Sequence, residues 1–122
     1  MAEKEEISKR YDLEERTFQF AKDVRAFVKA LPRTVANDED MRQLVRASGS
    51  VGANYIEAND SLSKKDFVMR IKISRKEAKE SRYWLRLLDT GDAGSLDTLR
   101  ASLIQEATEL MNIFGAIVRK SE

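Results

Sequence analysis

A chain of 122 residues, 42% apolar and 35% charged, is long enough to bury one hydrophobic core and too short for two. Its 22 basic and 21 acidic side chains leave a formal net charge of +1, so the overall balance does not mark it as a polyanion binder. It has neither cysteine nor histidine, which excludes disulfides, thiolate chemistry, cysteine metal sites, the commonest general base and the commonest zinc ligand.

The opening "MAEKEEISKRYDLEER" lacks the apolar centre of a signal peptide, and no apolar run approaches the roughly 18 residues of a membrane span. A cytoplasmic protein without membrane contact is the expectation. Residues 1–11 read as a charged N-terminal tail, and residues 12–122 as a single domain. One proline and five glycines leave long helices uninterrupted.

In chain order, Leu13, Phe20, Val24, Phe27, Val28 and Leu31 recur at three- and four-residue steps and predict a helix from Asp12 to Leu31. Pro32 ends it. "NDED" at 37–40 offers a capping side chain and first-turn carboxylates for a second helix. Its stripe is Met41, Leu44, Val45, Ser48, Val51, Gly52, Tyr55 and Ile56. "SKKD" at 63–66 resembles a capping box with Asp66 in the acidic position, so Ser63 is expected to cap a third helix reaching Thr90. Phe67, Ile71, Ser74, Ala78, Ser81, Leu85 and Leu88 form its heptad seam.

"TGDAGS" is a turn with glycines able to take left-handed conformations, and Ser95 is expected to cap a fourth helix. Leu96, Leu99, Leu103, Ala107, Leu110, Phe114 and Ile117 carry that helix, with a second stripe of Ile104, Met111 and Val118. Four helices with short connections predict an all-α fold, an antiparallel up-and-down four-helix bundle.

"SGSVGANYIEA" at 48–58 crowds small residues onto a helix that keeps its apolar spacing. Ser48 to Gly52 and Gly49 to Ala53 are small pairs one turn apart, and the third helix narrows to Ser74, Ala78 and Ser81 midway. The expectation is a close crossing of helices two and three through this strip, since Gly49 and Gly52 each cost about 1 kcal/mol of helix propensity.

Residues 43–88 carry a Gln-Leu-x-Arg start, a Ser-Val-x-Ala-Asn-x-x-Glu segment, Ser-Lys-x-Asp-Phe, and a charged helix ending in leucines. The motif residues are Gln43, Leu44, Arg46, Ser50, Val51, Ala53, Asn54, Glu57, Ser63, Lys64, Asp66, Phe67, Glu77, Glu80, Leu85, Leu87 and Leu88. This pattern resembles the bacterial four-helix bundle proteins named after the intervening sequences of 23S ribosomal RNA genes. The resemblance implies a left-handed antiparallel bundle assembled as a ring, a homopentamer. It also implies a relation to the accessory variability determinant of diversity-generating retroelements, a basic partner of a reverse transcriptase and its RNA. This chain departs from the pattern at Ala58, where many members have glycine, and in being nearly neutral.

Charge is nevertheless uneven. Residues 63–90 hold nine bases against four acids. Lys65, Lys72, Lys79 and Arg86 fall seven residues apart on one face, with Lys76 close by, and such a row can track phosphates along an RNA backbone. A solvated face and a contact with a subunit or another protein explain the same row. Glu57, Glu77 and Glu80, with Asn54 one turn before Glu57, raise a carboxylate-site reading. Histidine is absent and sequence spacing cannot show convergence between helices; Glu57 and Asn54, beside the apolar arc of helix two, read instead as partners of a helix end or a subunit contact. No catalytic, cofactor or metal site is expected. Tyr83, Trp84 and Leu87 lie off the third seam, and with the second stripe of helix four they fit either self-association or a broad core face; the family resemblance favours a ring. The resulting expectation is a non-enzymatic homo-oligomeric scaffold or adaptor, with an RNA-binding accessory protein as the alternative. Ser50, Gly52, Asn54, Glu57, Asp66, Phe67 and Trp84 are the expected packing or interface residues, and Lys65, Lys72, Lys76, Lys79 and Arg86 the nucleic-acid candidates.

Overall fold

The computed structural model describes the backbone of residues 2–122 and side chains from Asp12 onward. Four helices follow one another: α1 (Ala2–Lys29), α2 (Val35–Asn59), α3 (Lys64–Leu87) and α4 (Gly94–Ser121). The connections are too short to cross the bundle, so each helix returns beside its predecessor, as in an up-and-down arrangement. Contacts are broadest between α2 and α3 and between α3 and α4, and slightest where α1 closes on α4. The charged leader is continuous with α1 from Ala2; the side chains of residues 1–11 lie outside the described residues.

The predicted stripes point inward except at Ile56 of α2 and Leu99 of α4, which are exposed because they lie at the edge of their helix's core face. Phe20, Val24 and Phe27 of α1, Leu44 and Val51 of α2, Ile71, Ala78 and Leu85 of α3, and Leu110 and Phe114 of α4 are essentially inaccessible to solvent. Tyr55 and Phe114 cross the diagonal with ring centroids 5.7 Å apart and planes tilted by 53°, an edge-to-face tendency that suits the ring quadrupoles. Of the second α4 stripe, Val118 is buried, and Ile104 and Met111 pack half-buried against the core. That stripe therefore widens the core contact of α4 and leaves no separate apolar face. Trp84 likewise packs partly against the core.

Besides α1, which begins at Ala2 and not at Asp12, two helix starts differ from the sequence expectation. Thr34, not the "NDED" run, caps α2: its side chain accepts a hydrogen bond from Asn37 N at 3.0 Å. Asn37 is unavailable as a cap because its buried side chain ties the connections together. Its Nδ2 donates to Pro32 O (2.9 Å) and Asp89 O (2.8 Å), and its Oδ1 accepts from Asp89 N (3.0 Å). Ser95 does not cap α4, since the helix already begins at Gly94 with Ala93 in the cap position and no side-chain cap bond. Thr90 Oγ1 instead donates to Asp97 Oδ1 in the first turn at 2.6 Å. Ser63 does cap α3, accepting from Asp66 N at 3.1 Å. That helix stops at Leu87, because Leu88 turns extended (φ −62°, ψ 139°) to bury its side chain. The following turn uses left-handed backbone at Gly91 (φ 68°) and Asp92 (φ 61°).

The small-residue strip serves two neighbours, not one. A Cβ on Gly52 would stand 2.8 Å from Thr17 Oγ1 and 3.2 Å from Thr17 Cβ, so this glycine admits α1. Gly49 also faces α1, where only the mobile end of Arg25 comes within 3.4 Å of a Cβ position. Ala53 is exposed. The close approach of α2 and α3 runs one position away, through Ser74 Oγ, which donates to Val51 O at 2.9 Å.

Candidate interface on the third helix

The motif segment first explains how α3 is held. Asn54 Nδ2 donates to Ser50 O and Ser50 Oγ, both at 2.9 Å, and Asn54 Oδ1 accepts from Arg70 Nη1 at 3.0 Å. Ser50 and Asn54 are thus the α2 half of a polar clasp on α3 and not partners of a helix end. Glu57 and Asp66 are exposed, Phe67 is half-buried against the core, and Gly52 is buried under Thr17. Ser63 and Asp66 set the start of α3, and the seam from Phe67 to Leu88 fixes its rotation. The same rotation turns the basic residues outward.

Lys65, Lys72, Lys76, Lys79 and Arg86 are all exposed. Lys72 Nζ lies 3.2 Å from Glu122 Oε1; among the described residues the other four make no ion pair. An exposed pair of this kind is weak, so the row remains available to a polyanion or an acidic partner.

Between the lysines runs an apolar row that only partly stood out in the sequence. Met69, Ile73, Lys76, Glu80, Tyr83 and Leu87 alternate four and three residues apart, a second heptad seam on the side opposite the core. Met69, Tyr83 and Leu87 are 47%, 55% and 50% exposed, and Ile73 is half-buried. Tyr83 stacks edge-on against Trp84 at 5.1 Å. Towards the start of the helix, Val68, Met69 and Ile73 line a shallow groove of about 740 Å³ rimmed by Lys64, Lys65, Lys72 and Lys76 and closed by Ser121 and Glu122 of the chain end.

The carboxylates do not converge. Among the described residues no cluster of three or more acidic side chains could hold a metal ion. Glu77 is only 6% exposed and its Oε2 has no hydrogen-bond partner. Burial, reinforced by Glu80, pushes its pKa up, against the opposing pull of Arg46 and Lys76. On the far side of the bundle Arg16 clamps α4, with Nε and Nη2 each 2.8 Å from Glu106 and Nη2 2.9 Å from Glu109. Beside that clamp, Leu13, Tyr55, Phe67, Ile113 and Ile117 line an apolar cavity of about 630 Å³ at one end of the bundle.

Residues 9–116 match the sequence profile of the 23S rRNA-intervening sequence proteins. The chain belongs to that family. Among solved structures it is similar to a Bacteroides thetaiotaomicron protein of unknown function from the S23 ribosomal protein family, with 27% identity and a TM-score of 0.71 over 86% of this chain and 96% of that one. No curated protein is similar enough to this chain to count as a match. The family assignment extends past the 43–88 motif to all four helices. Among the described residues no helix of this intervening-sequence protein is long and apolar enough to cross a membrane.

Proposed function

We propose that this chain is a non-enzymatic scaffold or adaptor of the cytoplasm that works as a homo-oligomer, a ring of five subunits by the family resemblance. The observation that carries the reading is the apolar surface left over once the core is complete. In the groove between α1 and α2, Phe18 and Ile56 are 57% and 47% exposed, beside Ala21, Gly49 and Ala53. Large apolar side chains grouped on a soluble bundle mark an association surface, and the small residues let a second backbone come near. Glu14, Lys22 and Arg25 rim the groove with both signs of charge, and in a five-membered ring the groove meets a different patch of the next subunit, a heterologous contact that repeats until the ring closes. Replacing Phe18 and Ile56 together by Glu should leave helix content intact and reduce the assembly to a smaller species in light scattering. Unchanged mass would remove this groove from the interface.

A second reading, an RNA-binding accessory protein comparable in role to the retroelement determinant, is supported by the exposed row Lys65, Lys72, Lys79 and Arg86. It requires sequence-independent binding whose affinity falls steeply with salt, each neutralised phosphate contributing about 0.7–0.9 to the log–log slope. A salt titration of structured RNA against the wild type and a Lys72→Glu, Lys79→Glu variant tests it. Binding absent at low salt, or indifferent to charge reversal, defeats the RNA reading.

A further inference from the structure

The outer face of α3 combines two features that a merely solvated helix does not need. Lys72, Lys79 and Arg86 each immediately precede a residue of the outward heptad row, Ile73, Glu80 and Leu87, so the three cations form one edge along that row. Met69, Ile73, Tyr83 and Leu87 supply apolar contacts at both ends of it, and Lys76 and Glu80 interrupt its middle. From Met69 to Leu87 the row is about 27 Å long at 1.5 Å per residue, the length of a helix of five turns.

We propose that this face is a docking surface for an acidic amphipathic helix of a partner protein, seated with its apolar row on Met69, Ile73, Tyr83 and Leu87 and its carboxylates against Lys72, Lys79 and Arg86. The spacing is that of a coiled-coil seam, in which residues flanking the apolar row choose the partner by charge. Nine bases against four acids over residues 63–90 make the complementary surface acidic. Lys76 and Glu80 within the seam fix register, because a misplaced partner leaves them desolvated and unpaired.

Two other occupants fit less well. An RNA strand would use the cations and can stack one base on Tyr83, but it gains little from Met69, Ile73 and Leu87, which present no π-face. A second copy of α3 laid antiparallel would match Lys76 with Glu80, yet it would set Lys79 against the second copy's Lys79 and Lys72 against its Arg86. Like charges so placed oppose pairing. The proposal rests on the adaptor reading but does not require the ring.

The test uses the full chain and a labelled synthetic peptide of about three heptads with leucine in the seam positions that face Met69, Ile73, Tyr83 and Leu87, glutamate and lysine in those that face Lys76 and Glu80, and glutamate at the flanking positions, compared with the same peptide carrying lysine at the flanks. Anisotropy at low ionic strength should show the glutamate peptide binding saturably, one per chain, and the lysine peptide at least about tenfold more weakly. Tyr83→Ser with Leu87→Ser, and separately Lys72→Glu with Lys79→Glu, should each weaken binding by about tenfold or more while helix content and assembly mass stay unchanged. No binding, equal binding of both peptides, or indifference to either pair of substitutions would overturn the proposal. So would a fall in assembly mass in the Tyr83→Ser, Leu87→Ser variant, which would make the face a subunit contact. Polyuridine binding abolished by the lysine reversals, without peptide binding, would assign the face to RNA. The wild-type mass is read alongside: a monomer that binds the glutamate peptide keeps this proposal and removes the ring.

Discussion

At Gly52 the cost of adding one methyl group is set by its neighbour. The Cβ position lies 2.8 Å from Thr17 Oγ1, and Thr17 cannot swing aside freely because its hydroxyl donates to Leu13 O at 2.9 Å within a buried turn of α1. Gly52→Ala should therefore destabilise by about 1–2 kcal/mol in spite of its better helix propensity. Gly49→Ala, which meets only the end of Arg25, should be neutral or stabilising by up to about 1 kcal/mol. Adding Thr17→Ala to Gly52→Ala should recover part of the loss, and urea unfolding of the double-mutant cycle measures the coupling. Glu77 makes a second residue-scale prediction. Its pKa is raised in the folded chain by burial and by Glu80, so the native state holds the proton more tightly than the unfolded state does. Stability from this group is thus highest below the ordinary carboxylate pKa and falls as pH rises through the raised value. Glu77→Gln should raise the melting temperature at pH 7, and the gain should shrink as the pH is lowered towards 4.

At the scale of elements, the helices are held in sequence by packing and in register by their connections. Asn37 joins the α1–α2 and α3–α4 connections with three hydrogen bonds, so Asn37→Ala leaves backbone groups without partners and should cost about 2–4 kcal/mol. A substitution at Asp38, which is not part of this link, should cost far less in the same denaturation assay. The four helices and their inward faces were legible because three- and four-residue apolar spacing is a local signal that packing does not overrule. Their starts were less so. Thr34 and Asn37 are both good capping residues, and the distant backbone of Asp89, together with Pro32 O, decides which one is engaged elsewhere. Ser95 was displaced from the cap by a helix starting at Gly94. The strip at 48–58 showed that something comes close, but a small residue carries no mark of its neighbour, and Gly52 proved to face α1. The basic row on α3 was plain from its seven-residue period. The apolar row beside it was hidden because the core seam shares its period, and Met69 and Ile73 join it only once the rotation of α3 is known.

For the whole molecule, the bundle completes its core and still presents Phe18 and Ile56 in one groove and Met69, Tyr83 and Leu87 along one helix. The sequence placed the surplus partly on Ile104, Met111 and Val118, which pack inward instead. The association we propose therefore draws on surfaces of α1, α2 and α3. In the proposed adaptor the α1–α2 groove meets the neighbouring subunit and the outer face of α3 meets an acidic helix, and repetition around a ring would multiply a weak contact wherever one partner spans adjacent subunits. The most direct measurement is the mass of the purified protein by multi-angle light scattering across micromolar concentrations. The account predicts a discrete species of several times the 13.9 kDa chain, five-fold if the ring is a pentamer. A particle that stays at the mass of a single chain at the highest concentration would contradict it.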